Sequence, residues 1–298
     1  MSRQAARALA RPVPVAVRHL PVMAGEVIEF FASARPRLVV DGTAGGGGHL
    51  VALVKAFPKA SILAVDRDPS AADALAAAWN SRSGLVIRRA SYTSIPEILE
   101  ETGLGKADAA LFDLGLSSLQ LDDPARGFSH SLDGPLDMRF DHGTGPYASE
   151  LVNGLPEADL ADIFWRWGGE RWSRRIARAV VSARPVESTL DLASAVRRAV
   201  RGNPVKSVSR VFQALRIAVN RELSELETLL DGLAGWMAPG GRAAFITFHS
   251  LEDRIVKRFF MDSPDFTPCR PAWRAPTDAE RLANPRARSA KLRTGVRS

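Results

Sequence analysis

Three aspartates each close a short apolar, β-branched run: Asp41 after residues 38–40, Asp66 after 62–65 and Asp113 after 109–112. A glycine cluster, residues 45–48, follows the first and is closed by His49, and a later run, Ala243–Phe248, leads into His249 and Ser250. Ligands of an open parallel sheet sit outside the carboxyl ends of its strands, so Asp41, Asp66, Asp113 and His249 stand where a ligand would be met. Glycine lets the backbone turn sharply there and approach a ligand without a Cβ clash. The turn is not a dinucleotide fingerprint, because glycine at positions one, three and six is not cleanly present. A carboxylate at Asp41 would repel a pyrophosphate but suits an ammonium group. Asp66 is placed to accept both hydroxyls of a ribose, and Tyr92 follows the third run, beside the ligand.

The elements that must position these groups alternate. Strands at 38–41, 62–66, 85–87 and 109–113 are separated by an apolar helix from about His49 to Phe57 and by an alanine-rich helix at 69–79 opening on proline. This alternation predicts a parallel, doubly wound α/β sheet. Residues 114–147 are polar, rich in Gly, Asp, Ser and Pro, and read as a long functional loop. Residues 157–202 read as helices only. A long amphipathic stretch from Val208 to Trp236 returns to the sheet, and Pro239-Gly240-Gly241 turns into a fifth strand. The expected organisation is a basic arm over 1–18, a ligand-binding catalytic domain over 19–140 and 212–298, and an inserted all-helical substrate-recognition domain over 141–211. The proline- and arginine-rich end, 262–298, is expected to be poorly ordered in part.

An acid before a glycine turn, a second acid after the next strand and a Pro-Gly-Gly turn before a late strand are the layout of class I (Rossmann-like) methyltransferases. The implied cofactor is S-adenosyl-L-methionine on the turn Asp41–His49, with Gly45, Gly47, Gly48, Asp66 and Tyr92 around it.

The chain has 298 residues and a formal net charge of +7, which suggests a polyanionic partner. Arg171, Arg174, Arg175 and Arg178 follow i, i+3, i+4, i+7 spacing, which places four guanidinium groups on one helical face suited to phosphates. No apolar run approaches the roughly 20 residues that cross a bilayer. Cys269 is the single cysteine, so no internal disulfide forms, and a reducing, cytoplasmic compartment fits best. Arg3, Arg7, Arg11 and Arg18 without an acid read as a flexible arm, and also fit a mitochondrial transit peptide. His130 and His142 lack partners at metal-ligand spacing and read as loop residues, so no metal is expected.

The central segment is more specific. Asp113–Phe128 (DLGLSSLQLDDPARGF) resembles the signature of the bacterial small-subunit ribosomal RNA cytosine-N4 methyltransferases, the RsmH/MraW family. His19–Val22, Asp133–Arg139 (DGPLDMR), Arg210–Asn220 (RVFQALRIAVN), Phe248–Arg254 (FHSLEDR) and Asn284–Arg293 (NPRARSAKLR) are similar too, so the likeness runs from about 19 to 293. It implies methylation of a cytosine amine in the decoding centre of small-subunit ribosomal RNA, with that RNA or the assembling small subunit as partner; the sequence leaves monomer and homodimer both open. It also implies cofactor contacts at Gly47, Gly48, His49, Asp66, Asp113 and Gln120; the family usually has Phe at the place of Tyr92. Lys206–Arg210 and Trp167–Arg171 depart from the family pattern, which bears on substrate docking more than on the cofactor.

An exocyclic cytosine amine is a poor nucleophile, because its lone pair is delocalised into the ring. An acceptor for its N–H would free that pair and take the proton. Asp113 is the expected acceptor, with His249 and Ser250 as further catalytic candidates at the base edge. Phe128 and Phe248 are candidates to stack the base. Asp137 and Arg139 are read either as substrate contacts or as an ion pair shaping the loop. Two other readings stand beside this one: a non-enzymatic ribosome-assembly factor that binds RNA, and a methyltransferase acting on amines of DNA.

Overall fold

The computed structural model describes residues 20–79 and 82–298. The basic arm read over 1–18, with Arg3, Arg7, Arg11 and Arg18, lies outside them, as does His19.

Seven strands form one sheet in the order β3-β2-β1-β4-β5-β7-β6. They are β1 (Leu38–Asp41), β2 (Ser61–Asp66), β3 (Leu85–Arg89), β4 (Ala107–Asp113), β5 (Met237–Thr247), β6 (Phe266–Pro268) and β7 (Lys291–Arg297). The first five are parallel, and β7 runs antiparallel between β5 and β6. Side chains alternate across the pleat. Val39, Ile62, Ala64, Ala109, Leu111, Ala244 and Ile246 enter one core with α1 (Ala24–Ala32), α2 (Gly48–Ala56) and α3 (Pro69–Trp79). Val40, Leu63, Val65, Ala110, Phe112 and Phe245 enter a second core on the other face, with α4 (Ile95–Thr102), α11 (Glu222–Trp236) and α12 (Ser250–Asp262). A sheet buried on both faces needs the near-continuous apolar strands seen here.

After β4 the chain leaves the sheet through a short helix, α5 (Ser118–Asp122), and a long irregular segment. It then builds α6 (Ala148–Gly154), α7 (Glu157–Arg166), α8 (Ser173–Ser182), α9 (Thr189–Ala199) and α10 (Pro204–Asn220), which share a third core. Phe128, Leu136 and Met138 of the irregular segment are buried in that core, so the segment is the lid of the helical layer rather than a free loop.

Three features differ from the sequence reading. The amphipathic stretch over 208–236 is two helices, broken at Arg221, which is left-handed with φ of 54°. Helix α10 crosses the boundary expected at 211. The tail expected to be partly disordered forms β7, whose Leu292 is buried, and α13 (Asp278–Ala283). Antiparallel pairing with the long β5 orders residues whose composition alone predicts no core.

Candidate functional site

The strand order reverses between β1 and β4, and a crevice opens at the carboxyl ends of such neighbours. Asp41 and Asp113 end these two strands, and Asp66 ends β2. Here a cleft of about 600 Å³ is lined by Thr43, Gly45, Gly46, Gly48, His49, Asp66, Tyr92, Asp113, Gln120 and Phe248, among others. Its size lies within the usual range for small-ligand sites.

The turn is built by conformations that only glycine adopts freely. Gly45 has φ of 49° and Gly47, which precedes α2, has φ of 83°. No side chain caps α2, so its first-turn amides are left to a ligand. Asp66 braces the turn: its Oδ2 accepts the Gly45 N–H at 2.7 Å and its Oδ1 accepts the Asp68 N–H at 2.8 Å. Each oxygen keeps lone pairs facing the cleft for hydroxyl donors. Burial, against the pull of these two N–H groups, raises the Asp66 carboxyl to about 6.

Behind the turn Asp41 is fully buried, and burial raises it to about 6 despite the nearby His49 and the Thr43 amide. Asp41 and Gly47 stand outside the lining of the cleft, whereas Gly45, Gly46, Gly48 and His49 line it. Gly47 sets the turn and Asp41 acts through its field. His49 lies between them, with Nε2 at 3.4 Å from Asp113 Oδ2. Burial disfavours its charged form, but the bond to Asp113 and the charges of Asp113 and Asp41 outweigh that and raise its pKa. Asp113 is fixed through its backbone, which donates to Thr43 Oγ1 at 2.6 Å. Asp41 Oδ2, His49 Nε2 and Asp113 Oδ1 are buried without a hydrogen-bond partner among the described residues.

Tyr92 lines the cleft with its ring edge-on to Phe112 at 6.1 Å. Burial, then the charges of Glu222 and Glu225, push its phenol well above the usual range. Gln120 is buried in the cleft wall, but its amide is committed: Oε1 accepts the Ser117 N–H and Nε2 donates to Asp68 Oδ2 at 2.9 Å. Asp68 in turn accepts Arg126 Nη1 at 2.6 Å, and Arg126 Nη2 reaches the carbonyls of Arg139 and Phe140. This buried network ties the long segment to the end of β2, and spacing in sequence gave no hint of it.

A second cavity of about 220 Å³ lies between the long segment, α10 and the end of β5. It shares Leu116, Arg216 and Phe248 with the cleft. Phe128, His130, Ser209, Phe212, Gln213 and His249 complete its wall. The sequence offers no aromatic after Asp113, where Leu114-Gly115-Leu116 stands. The fold supplies one from the neighbouring strand, since a Cβ on Gly115 would lie 2.7 Å from the Phe248 ring. His130, read as a plain loop residue, stands edge-on to Phe212 at 5.7 Å and 3.2 Å from Ser209 Oγ.

His249 caps α12 and is tied to Glu252: Nδ1 accepts the Glu252 N–H at 3.4 Å, and Nε2 lies 2.8 Å from Oε1. Glu222, His249 and Glu252 bring ligand atoms within 4.8 Å of one another. Arg216 already pairs with Glu222 in that cluster, with Nε and Nη2 on its two oxygens at 2.7 and 2.8 Å. Ser250 is exposed at the start of α12 and lines neither cavity. Asp137 and Arg139 also line neither. They form a buried bidentate pair at 2.7 and 3.1 Å, with the guanidinium 3.7 Å over the Tyr147 ring. Of their two readings, the geometry is that of the ion pair shaping the loop. On α8, Arg174, Arg175 and Arg178 are exposed, and Arg171 just before it is too. Arg178 faces Glu157 at 3.5 Å, whereas among the described residues no ion pair holds the other three.

The donor set fits S-adenosylmethionine. Buried Asp41 and the half-buried Asp66 and Asp113 favour a cationic ligand, orphaned polar atoms await partners, and Asp66 has hydroxyl-accepting capacity. This doubly wound sheet with an antiparallel β7, a glycine turn after β1 and acids at the switch point defines a class I S-adenosylmethionine-dependent methyltransferase. A sequence model of the MraW methylase family matches residues 16–297. Proteins named ribosomal RNA small subunit methyltransferase H are similar along nearly their whole length. That of Deinococcus radiodurans is 44% identical over 96% of this chain and 91% of its own. That of Methylocella silvestris is 46% identical over 94% and 88%, and that of Acidiphilium cryptum 44% over 92% and 96%. The chain belongs to the MraW methylase family.

Proposed function

We propose that this methyltransferase modifies the N4 amine of a cytosine in the decoding centre of small-subunit ribosomal RNA, met in the assembling subunit. The observation that carries the reading is the second cavity opening beside Phe248: a ring-walled space for one planar base, adjoining the cofactor cleft. The relatives' names point to the same RNA, and those relatives are bacterial, in keeping with a cytoplasmic site of action rather than a mitochondrial one. No helix among the described residues is long and apolar enough to cross a membrane.

Bound S-adenosylmethionine supplies an electrophilic methyl group. Asp66 would hold the ribose hydroxyls and Tyr92 would flank the adenine, with Gly45, Gly47 and Gly48 shaping the backbone that receives the ligand. Gln120 holds Asp68 and the wall of the cleft. Phe248 stacks the base, in the manner of single-strand readers, and Phe128, buried in the helical core, forms part of the wall behind it. Asp113 accepts the amine N–H and so localises the lone pair on nitrogen. His249 positions Phe248 through the start of α12. The helical layer, residues 141–211 with the remainder of α10, docks RNA through Arg171, Arg174 and Arg175, with Arg178 weakened by its Glu157 partner.

The test is to map N4-methylcytosine in ribosomal RNA from cells with and without this gene, and with Asp113→Ala in its place. The mark is expected to vanish in both altered strains, and its persistence in the deletion would refute the substrate. Charge reversal at Arg171, Arg174 and Arg175 is expected to lower RNA affinity and flatten its salt dependence. An unchanged salt slope would assign that face to solvent.

A further inference from the structure

At the foot of the cleft, three side chains from three elements converge without satisfying one another. Asp41 ends β1, His49 opens α2 and Asp113 ends β4. One polar atom of each is buried and unpartnered, although native buried polar atoms are nearly always paired. His49 Nε2 stands 3.4 Å from Asp113 Oδ2, long for a hydrogen bond but close enough for a shared proton to tighten it. We propose that the Asp113–His49 pair stores the proton that the methylated amine releases, gaining the positive charge that the cofactor's sulfur loses.

Charge is conserved across the site if the proton stays on this pair. Methyl transfer makes the N–C bond from the nitrogen lone pair, and the S–C pair returns to sulfur, which goes from a charge of plus one to zero. The nitrogen recovers its lone pair from the N–H bond as the proton departs. If that proton stays on the pair, aspartate with neutral imidazole becomes aspartate with imidazolium, from minus one to zero. The summed charge of the site is then the same before and after, so no uncompensated charge appears in a low-dielectric pocket, where it would be costly.

The surroundings allow this. The groups facing His49 are Asp113 from β4, Asp41 from β1 and Glu280 from α13, all acidic, and together they raise its pKa against the effect of burial. The cations in the cleft wall are Arg67, Arg216 and Arg286. Arg216 is held by Glu222, and Arg286 lies 2.9 Å from Asp122. A sulfonium entering beside Asp113 competes for the same acids and displaces the proton from the pair. Its loss during the reaction draws a proton back.

The inference rests on the cleft being the S-adenosylmethionine site, and the experiment separates the two. S-adenosylmethionine and S-adenosylhomocysteine differ only by the methyl and its charge. Calorimetric titration of each, in buffers of different ionisation enthalpy near pH 8 where Asp41 and Asp66 are ionised, counts protons exchanged. S-adenosylmethionine is expected to release up to about one proton more than S-adenosylhomocysteine, and its relative affinity to rise by up to about tenfold per pH unit. In His49→Gln the difference is expected to disappear in whatever binding of the two ligands remains. Equal proton counts in the wild type, or an undiminished difference in His49→Gln, overturn the inference. Failure of both ligands to bind the wild type overturns the site assignment itself. Should His49→Gln not fold, or bind neither ligand, histidine ¹⁵N titration of the wild type decides. One imidazole midpoint is expected at least about one pH unit lower with S-adenosylmethionine than with S-adenosylhomocysteine, and coincident midpoints refute the proposal.

Discussion

Arg126→Met tests whether the buried network holds the long segment on the cleft. The side chains of Arg126 and Asp68 are 5% and 1% exposed, and their contact is 2.6 Å. Truncation leaves Asp68 with only the Gln120 amide and the Ser70 N–H, and removes a donor from the carbonyls of Arg139 and Phe140. Stranding one member of a buried pair costs about 3–5 kcal/mol. Total stability for a chain of this kind is about 5–15 kcal/mol, so the variant is expected to keep its fold with a much lower unfolding midpoint. Urea unfolding followed by circular dichroism reads the cost, and an unchanged slope shows that the same surface unfolds. Combining Arg126→Met with Asp68→Asn removes the stranded charge. The double variant is expected to be less destabilised than the sum of the singles by about 1–3 kcal/mol. A loss below about 1 kcal/mol in Arg126→Met, or strict additivity, would refute the network as the tie between segment and sheet.

Two further outcomes concern the turn. Gly47→Ala places a side chain at φ of 83° and a Cβ 2.7 Å from Leu75 Cδ2. It is expected to cost about 1–2 kcal/mol in a thermal or urea melt and to weaken cofactor binding in calorimetry; wild-type values for both would show that the turn's shape is not needed. Asp41 is raised from 3.8 to about 6, so between those values the folded protein binds more protons than the unfolded chain. Its contribution to stability therefore falls as pH rises through that window, and the cost of ionising it is fully present above about 6. Asp41→Asn is expected to raise the melting temperature of the ligand-free protein at pH 8, to change it little at pH 4, and to weaken S-adenosylmethionine binding. A lower melting temperature at pH 8 would contradict a buried, costly carboxylate.

The sequence alone determined the sheet, the cofactor turn and the family. Strand and helix periods, turn glycines and strand-end acids are local patterns, set by neighbours along the chain, and Asp41, Asp66 and Asp113 were legible for that reason. The tail was misread by the same logic, because β7 is ordered by pairing with β5 and carries little signal of its own. Only the tertiary structure decided which residues face one another. It moved Asp41 behind the wall, turned Asp137 and Arg139 into an ion pair, and left Ser250 outside both cavities. It also brought Phe248 from β5 onto Gly115 after β4, and set Arg126 on Asp68 across 58 residues. Such contacts depend on strand order and on how the helical layer closes over the sheet. Neither is written in local spacing, so the glycine turn could name the cofactor while the ring-lined cavity beside Phe248 appeared only once the chain was folded.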